Sequence, residues 1–172
     1  MNAGSGWWLV VVAVVGLGGA CDDEPSAAEA WCDGVCSAVQ RCGLNASSCQ
    51  TNCVRDRPSL GKQTVSGALA QKPCLAQLSC AAINGEGTAW KNELDACWAQ
   101  AQKSVAVTDR VRRFCPDFSL VWFECGYNLP LDDCQRNYSM WTDPIIDRLA
   151  ECESMVDCNG LQTCVSNVFS SL

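Results

Sequence analysis

Cysteine is the residue type with the greatest capacity for chemistry in this chain: there are 15 in 172 residues, and no histidine at all. A catalytic thiol needs a base or a cationic neighbour to lower its pKa. Without imidazole, neither a Cys-His pair nor a Ser-His-Asp triad can be built. No two cysteines stand in the Cys-x-x-Cys spacing of dithiol redox sites. Zinc sites favour closely spaced cysteine pairs; here only Cys32/Cys36 and Cys49/Cys53 come that close. Cysteine at about nine per cent of the chain is the level of a disulfide scaffold. No catalytic residue, no metal and no cofactor is therefore expected.

The remaining chemistry-bearing groups are few. Asp143, Asp147 and Glu151 recur at four-residue steps, so one helix face carries three carboxylates. Such a face could attract a hard cation, but a solvated face neutralised by Arg148 is the favoured reading. Arg110, Arg112 and Arg113 cluster near the middle of the chain and offset its acidity. The net charge of −7 excludes a nucleic-acid partner, whose phosphates demand a basic surface. Trp31, Trp90, Trp98, Trp122 and Trp141, with Phe114, Phe118 and Phe123, are either fillers between cross-links or interaction anchors. Trp122 and Phe123 are adjacent and cannot both face one core, so one of them is expected at the surface.

The elements that must position these groups begin with an address. Trp7 to Leu17 is an apolar run too short to span a bilayer, which takes about 20 residues. It has the length of a signal-peptide core and is followed by Gly18, Gly19 and Ala20. Cys21 comes next, then the acidic stretch Asp22 to Glu24. This arrangement resembles the lipobox of bacterial lipoproteins, with Leu17 one position farther from the cysteine than that family usually has it. The resemblance implies that Cys21 is lipidated and becomes the first mature residue. Cysteine parity agrees: with Cys21 given to lipid, fourteen remain, enough for seven disulfides. Residues 1–20 are read as signal peptide and 21–30 as lipid-anchor cysteine and tether. Either way the body is exported to an oxidising compartment, lipid-anchored in a bacterial cell envelope or, alternatively, secreted.

The body reads as an internal repeat. Cys42-Gly43-Leu44-Asn45, a short loop and Cys49-Gln50-Thr51-Asn52 match Cys125-Gly126-Tyr127-Asn128, a longer loop and Cys134-Gln135-Arg136-Asn137. Upstream, Trp31, Cys32, Val35 and Val39 match Phe114, Cys115, Phe118 and Trp122; downstream, Cys74, Cys80 and Cys97 match Cys152, Cys158 and Cys164. Two tandem units are expected, 31–104 and 105–172. Ala28, Cys32, Val35, Val39 and Cys42 recur at three- and four-residue steps, as one helix face does, and Ser26 with Glu29 makes a capping box. Val111, Cys115, Phe118, Trp122 and Cys125 form the same stripe, with Pro116 expected to start or kink that helix. Asp132 or Asp133 is expected to cap the next helix, Thr142-Asp143-Pro144 to open the following one, and Lys72-Pro73-Cys74 to be its weaker counterpart. The fold class is all-α: disulfide-rich helical units of about 70 residues each.

Cys32/Cys36 and Cys49/Cys53 form twin pairs with three residues inside each, which resembles α-hairpinin peptides and the small chaperones of the mitochondrial intermembrane space. That resemblance covers 22 residues and implies nested bonds, outer with outer and inner with inner. The repeat points elsewhere. Cys36 and Cys53 are replaced together by Ser119 and Tyr138, so a Cys36–Cys53 bond is expected, one whose loss leaves every other thiol partnered. Equal spacing about a loop centred near residue 45 agrees with it. The pairing of Cys32, Cys42, Cys49, Cys74, Cys80, Cys97, Cys115, Cys125, Cys134, Cys152, Cys158 and Cys164 stays open.

Taken whole, the chain resembles the cysteine-rich predicted lipoproteins of some environmental bacteria. The resemblance implies a non-enzymatic envelope lipoprotein, held at a membrane by its lipid anchor and binding or scaffolding a protein partner. The alternative is a secreted carrier of a small apolar ligand. An exposed aromatic patch favours the first and an enclosed apolar pocket the second.

Overall fold

The computed structural model describes residues 24–155 and 157–170. The signal-peptide segment 1–20 and Cys21 lie outside the described residues. The chain is all-α: α1 (Ala27–Arg41), α2 (Cys49–Asp56), a 3-10 turn (Pro58–Lys62), α3 (Val65–Leu75), α4 (Cys80–Ile83), α5 (Ala89–Ala101), α6 (Asp109–Glu124), α7 (Leu131–Tyr138), α8 (Asp143–Cys152) and α9 (Cys158–Ser170). Among the described residues no strand forms; a lone antiparallel bridge joins Gln63 to Trp141.

Local sequence explains the helix starts. The Ser26 hydroxyl accepts from the Glu29 amide at 3.2 Å, and the Glu29 carboxylate accepts from the Ser26 amide at 2.8 Å, closing the capping box. Donation from the Ser26 amide and, to a lesser degree, the Ser26 hydroxyl holds the Glu29 carboxyl below its ordinary range. The Thr64, Ser79 and Thr108 hydroxyls each accept from the amide three residues on and cap α3, α4 and α6 without a reciprocal bond. Gly43 and Gly126 follow α1 and α6 at φ +73° and +81°, the left-handed step that ends a helix.

Four expectations need correcting. The tether stops short of residue 30, because α1 begins at Ala27 and buries Ala27, Ala28 and Ala30. Lys72-Pro73-Cys74 starts nothing: Pro73 lies in the last turns of α3, whose cap is Thr64. Pro116 does not start α6, which runs through it from Asp109. The N-cap of α7 is Pro130, and Asp132 and Asp133 sit inside its first turn, where their charge still suits the helix dipole.

Two apolar cores result. The first gathers Trp31, Cys32, Val35, Ala38, Leu60, Leu75, Leu78 and Cys97; the second gathers Val111, Phe114, Phe118, Ile145, Ile146, Leu149 and Leu161. They meet at a joint. Thr64 N–H donates to Met140 O and Thr142 N–H to Lys62 O, both at 2.9 Å. The rings of Trp98 and Trp141 lie 5.5 Å apart, and Trp141 meets Phe169 at 5.0 Å.

Seven disulfides staple these layers, with Cα–Cα distances of 5.4–5.8 Å, inside the range a disulfide allows. They are Cys32–Cys53, Cys36–Cys49, Cys42–Cys80, Cys74–Cys97, Cys115–Cys134, Cys125–Cys158 and Cys152–Cys164. The expected Cys36–Cys53 bond is thus wrong, and the nested pairing implied by the hairpin resemblance is right. The error lies in counting residues instead of length. From Cys36 the chain climbs five more helical residues, roughly 7.5 Å at 1.5 Å each. The loop then descends in more extended backbone, at up to about twice that rise per residue, so facing positions are not equidistant in residue number from the loop centre.

Candidate functional site

The carboxylate face of α8 is partly neutralised: Asp147 pairs with Arg110 across to α6. Among the described residues no group of three or more His, Cys, Asp or Glu converges to hold a metal. The fourteen described cysteines are all bonded, so none of them is available as a thiol. The disulfides mark a chain of an oxidising, extracytoplasmic compartment. Among the described residues no helix is long and apolar enough to cross a membrane.

The aromatic residues divide. Phe114, Phe118 and Tyr138 pack ring on ring in the second core, with centroids 4.5–5.4 Å apart, and Trp122 meets Phe118 at 5.9 Å. Burial among these rings pushes the Tyr138 hydroxyl up to about 12. Phe123, next to Trp122, is the one turned outward, 69 % exposed. Leu120 is exposed one turn before it at 56 %, and Tyr127 in the following turn at 46 %. Sequence reasoning anticipated one exposed member of the Trp122-Phe123 pair; Leu120 gave no signal, because a single Leu outside an apolar stripe is commonplace.

Two sizeable depressions are open to solvent. One, of about 630 Å³, lies over α8 and α9 and is edged by Arg148, Glu151, Met155, Asn159, Thr163 and Asn167. The other, of about 410 Å³, runs along the α1–α2 hairpin. Trp31, Val35, Val39 and Trp90 supply its apolar walls, together with the sulfur-bearing Cys49 and Cys53; Asn45, Ser48, Asn52, Asp56 and Arg57 form the rim. Trp31 is fixed from behind. Its indole N–H donates to Gln71 Oε1 at 3.3 Å, and the Gln71 amide donates to Gln63 Oε1 at 2.8 Å, a buried polar chain beneath the ring. The Arg57 guanidinium lies 5.7 Å from the Trp31 ring centroid and 5.9 Å from that of Trp90. Cation–π contacts occur at such distances. The sequence reading singled out both tryptophans and missed Arg57, because nothing local in Asp56-Arg57-Pro58 tells that the hairpin will lay it across them.

Glu153, just past the end of α8, has one carboxylate oxygen buried without a hydrogen-bond partner. Burial and, to a lesser degree, the neighbouring Asp117 push its pKa above the ordinary 4.5. A carboxyl raised on folding contributes most below its unfolded value, and that contribution is lost as pH rises through its folded value. Glu153→Gln is therefore expected to be more stable than the natural chain at pH 7, with the advantage vanishing below about pH 4.5. Urea midpoints at the two pH values check this; an equal gap at both would contradict it. Glu93 behaves oppositely: the Ser79 hydroxyl and amide donate to its carboxylate at 2.5 and 2.7 Å and hold its pKa down.

No family model, curated protein or solved structure matches this chain.

Proposed function

We propose that the chain is a non-enzymatic cell-envelope lipoprotein, acylated at Cys21, whose stapled helical body docks a protein partner through the outer face of α6. The observation that carries the docking reading is Phe123, a large aromatic left 69 % exposed between Leu120 and Tyr127. Aromatic side chains displayed in this way are typical binding anchors. The anchor reading is supported by cysteine parity. The seven disulfides take up all fourteen described cysteines, and Cys21 is the fifteenth of the chain.

Two duplicated units are part of this reading. Cys42–Cys80 and Cys125–Cys158 each tie the end of a long helix to the start of a later one, and Cys74–Cys97 and Cys152–Cys164 each tie a helix end to a following helix. Cys32–Cys53 and Cys115–Cys134 each join a position nine residues before the end of the long helix to the middle of the short one. By this correspondence Cys134 matches Cys53, not Cys49, and the bond peculiar to the first unit is Cys36–Cys49.

Intact mass and membrane fractionation in the native host test the anchor. The natural chain is expected in the membrane fraction with acyl mass, and Cys21→Ser is expected released without it. An unchanged distribution and no mass difference beyond the substitution would overturn the anchor. A photo-crosslinking residue at position 123 is expected to capture protein where one at the exposed Glu86 position does not. Equal yields from both positions would overturn the docking face.

A further inference from the structure

We infer that the groove along the α1–α2 hairpin is a binding site for an elongated apolar carboxylate, with Arg57 as the anion-binding residue. The inference does not depend on lipidation or on the α6 face.

The charge pattern argues first. Asp56, the acid on the rim of the groove, is already held by Arg55 at 2.8 Å. The Arg57 guanidinium has no ion pair and no hydrogen bond among the described residues; it lies over the two indole faces. A guanidinium is a planar fork of N–H donors that matches a carboxylate in bidentate geometry. Resting on two rings, the fork is oriented in advance, which lowers the ordering cost of binding. A single guanidinium, with Asp56 on the same rim, suits one negative charge better than the double charge of a phosphate.

The shape argues second. Arg57, Trp31 and Trp90 stand at one end of the groove, and Val39 and Asn45 at the other. Cys32–Cys53 and Cys36–Cys49 fix α2 antiparallel to α1, so the apolar wall follows α1 from Trp31 to Val39. Eight residues at 1.5 Å each make that wall roughly 12 Å long, the length of a medium-chain fatty acid. The volume of about 410 Å³ lies within the range of small-molecule sites. The buried Gln63–Gln71–Trp31 chain holds the wall in place, so the site is formed before the ligand arrives.

Isothermal titration calorimetry of the full, oxidised chain with decanoate tests this. One saturable site is expected. Decanol, with the same tail and no charge, is expected to bind at least tenfold more weakly. Arg57→Gln is expected to weaken decanoate at least tenfold while leaving the far-UV circular dichroism unchanged, and Arg57→Lys to restore part of the affinity. Phe123→Ser is expected to bind decanoate as the natural chain does. Absence of saturable binding, equal affinity in folded Arg57→Gln, or loss of binding in Phe123→Ser would each overturn the assignment; the last would place the chain on α6 instead.

Discussion

Reduction of the seven disulfides is expected to unfold both halves of the molecule at ordinary temperature, with most of the helical far-UV circular dichroism lost. The helices cannot stand alone. α2 and α7 have eight residues each and α4 has four, below the ~12–15 at which even favourable isolated helices become marginal. α2 buries no residue completely, so its position depends on Cys32–Cys53 and Cys36–Cys49. A core in a unit of this size supplies about 3–5 kcal/mol, and native disulfides contribute about 2–4 kcal/mol each without adding strictly. Removing all of them takes away more than the cores provide. A reduced protein that kept its helix signal and a sharp thermal transition would refute this.

The bonds should also rank. Cys36–Cys49 closes a 13-residue separation inside the 21-residue separation already closed by Cys32–Cys53. Cross-links stabilise chiefly by restricting the unfolded chain, in proportion to the logarithm of loop length, so the inner bond adds least where the outer one exists. Replacing Cys36 and Cys49 together by Ala is expected to cost less than replacing Cys42 and Cys80, whose separation is 38 and which link α1 to α4. The second half does without the inner bond: Ser119 stands where α6 would carry it.

What was legible in the sequence follows the range of the interactions. The capping box at Ser26, the helix stops at Gly43 and Gly126 and the start at Thr142 are settled within four residues, and they appear where the sequence puts them. Pairing across the hairpin depends on the path of a seven-residue loop, and there residue counting failed while the spacing resemblance succeeded. The Cys-Gln-x-Asn match set Cys134 against Cys49. In space Cys134 is the fourth residue of α7, whereas Cys49 is the first of α2 and Cys53 its fifth. The Arg57 groove was illegible because its members come from α1, the loop after it, α2 with Arg57 at its end, and α5, which meet only in the fold.

Gly34 is the position where a single added carbon should show most clearly what holds the groove wall in place. It lies in α1 against α3, and a Cβ there would stand 2.9 Å from Leu75 Cβ and 2.9 Å from the Lys72 carbonyl oxygen. The oxygen is backbone inside a helix, already accepting from the Ala76 amide at 3.0 Å, and α3 is tied to α5 through Cys74–Cys97. It cannot step aside alone. Gly34→Ala gains about 1 kcal/mol of helix propensity but meets an overpacking cost of about 1–3 kcal/mol, leaving a small net loss. Gly34→Val adds two further methyl groups and a stiff χ1 to the same contact, and a loss of about 3 kcal/mol or more is expected. Gly61→Ala serves as the control, since nothing lies within 4 Å of its added carbon. Urea denaturation of the three oxidised variants reads the difference. Because α3 carries Gln71, the hydrogen-bond partner of Trp31, pushing α3 away should also shift the Trp31 indole N–H resonance in Gly34→Val and leave it in place in Gly61→Ala. Equal stability of Gly34→Val and the natural chain would mean that α1 and α3 are free to separate, and that the Trp31 wall is not held from behind.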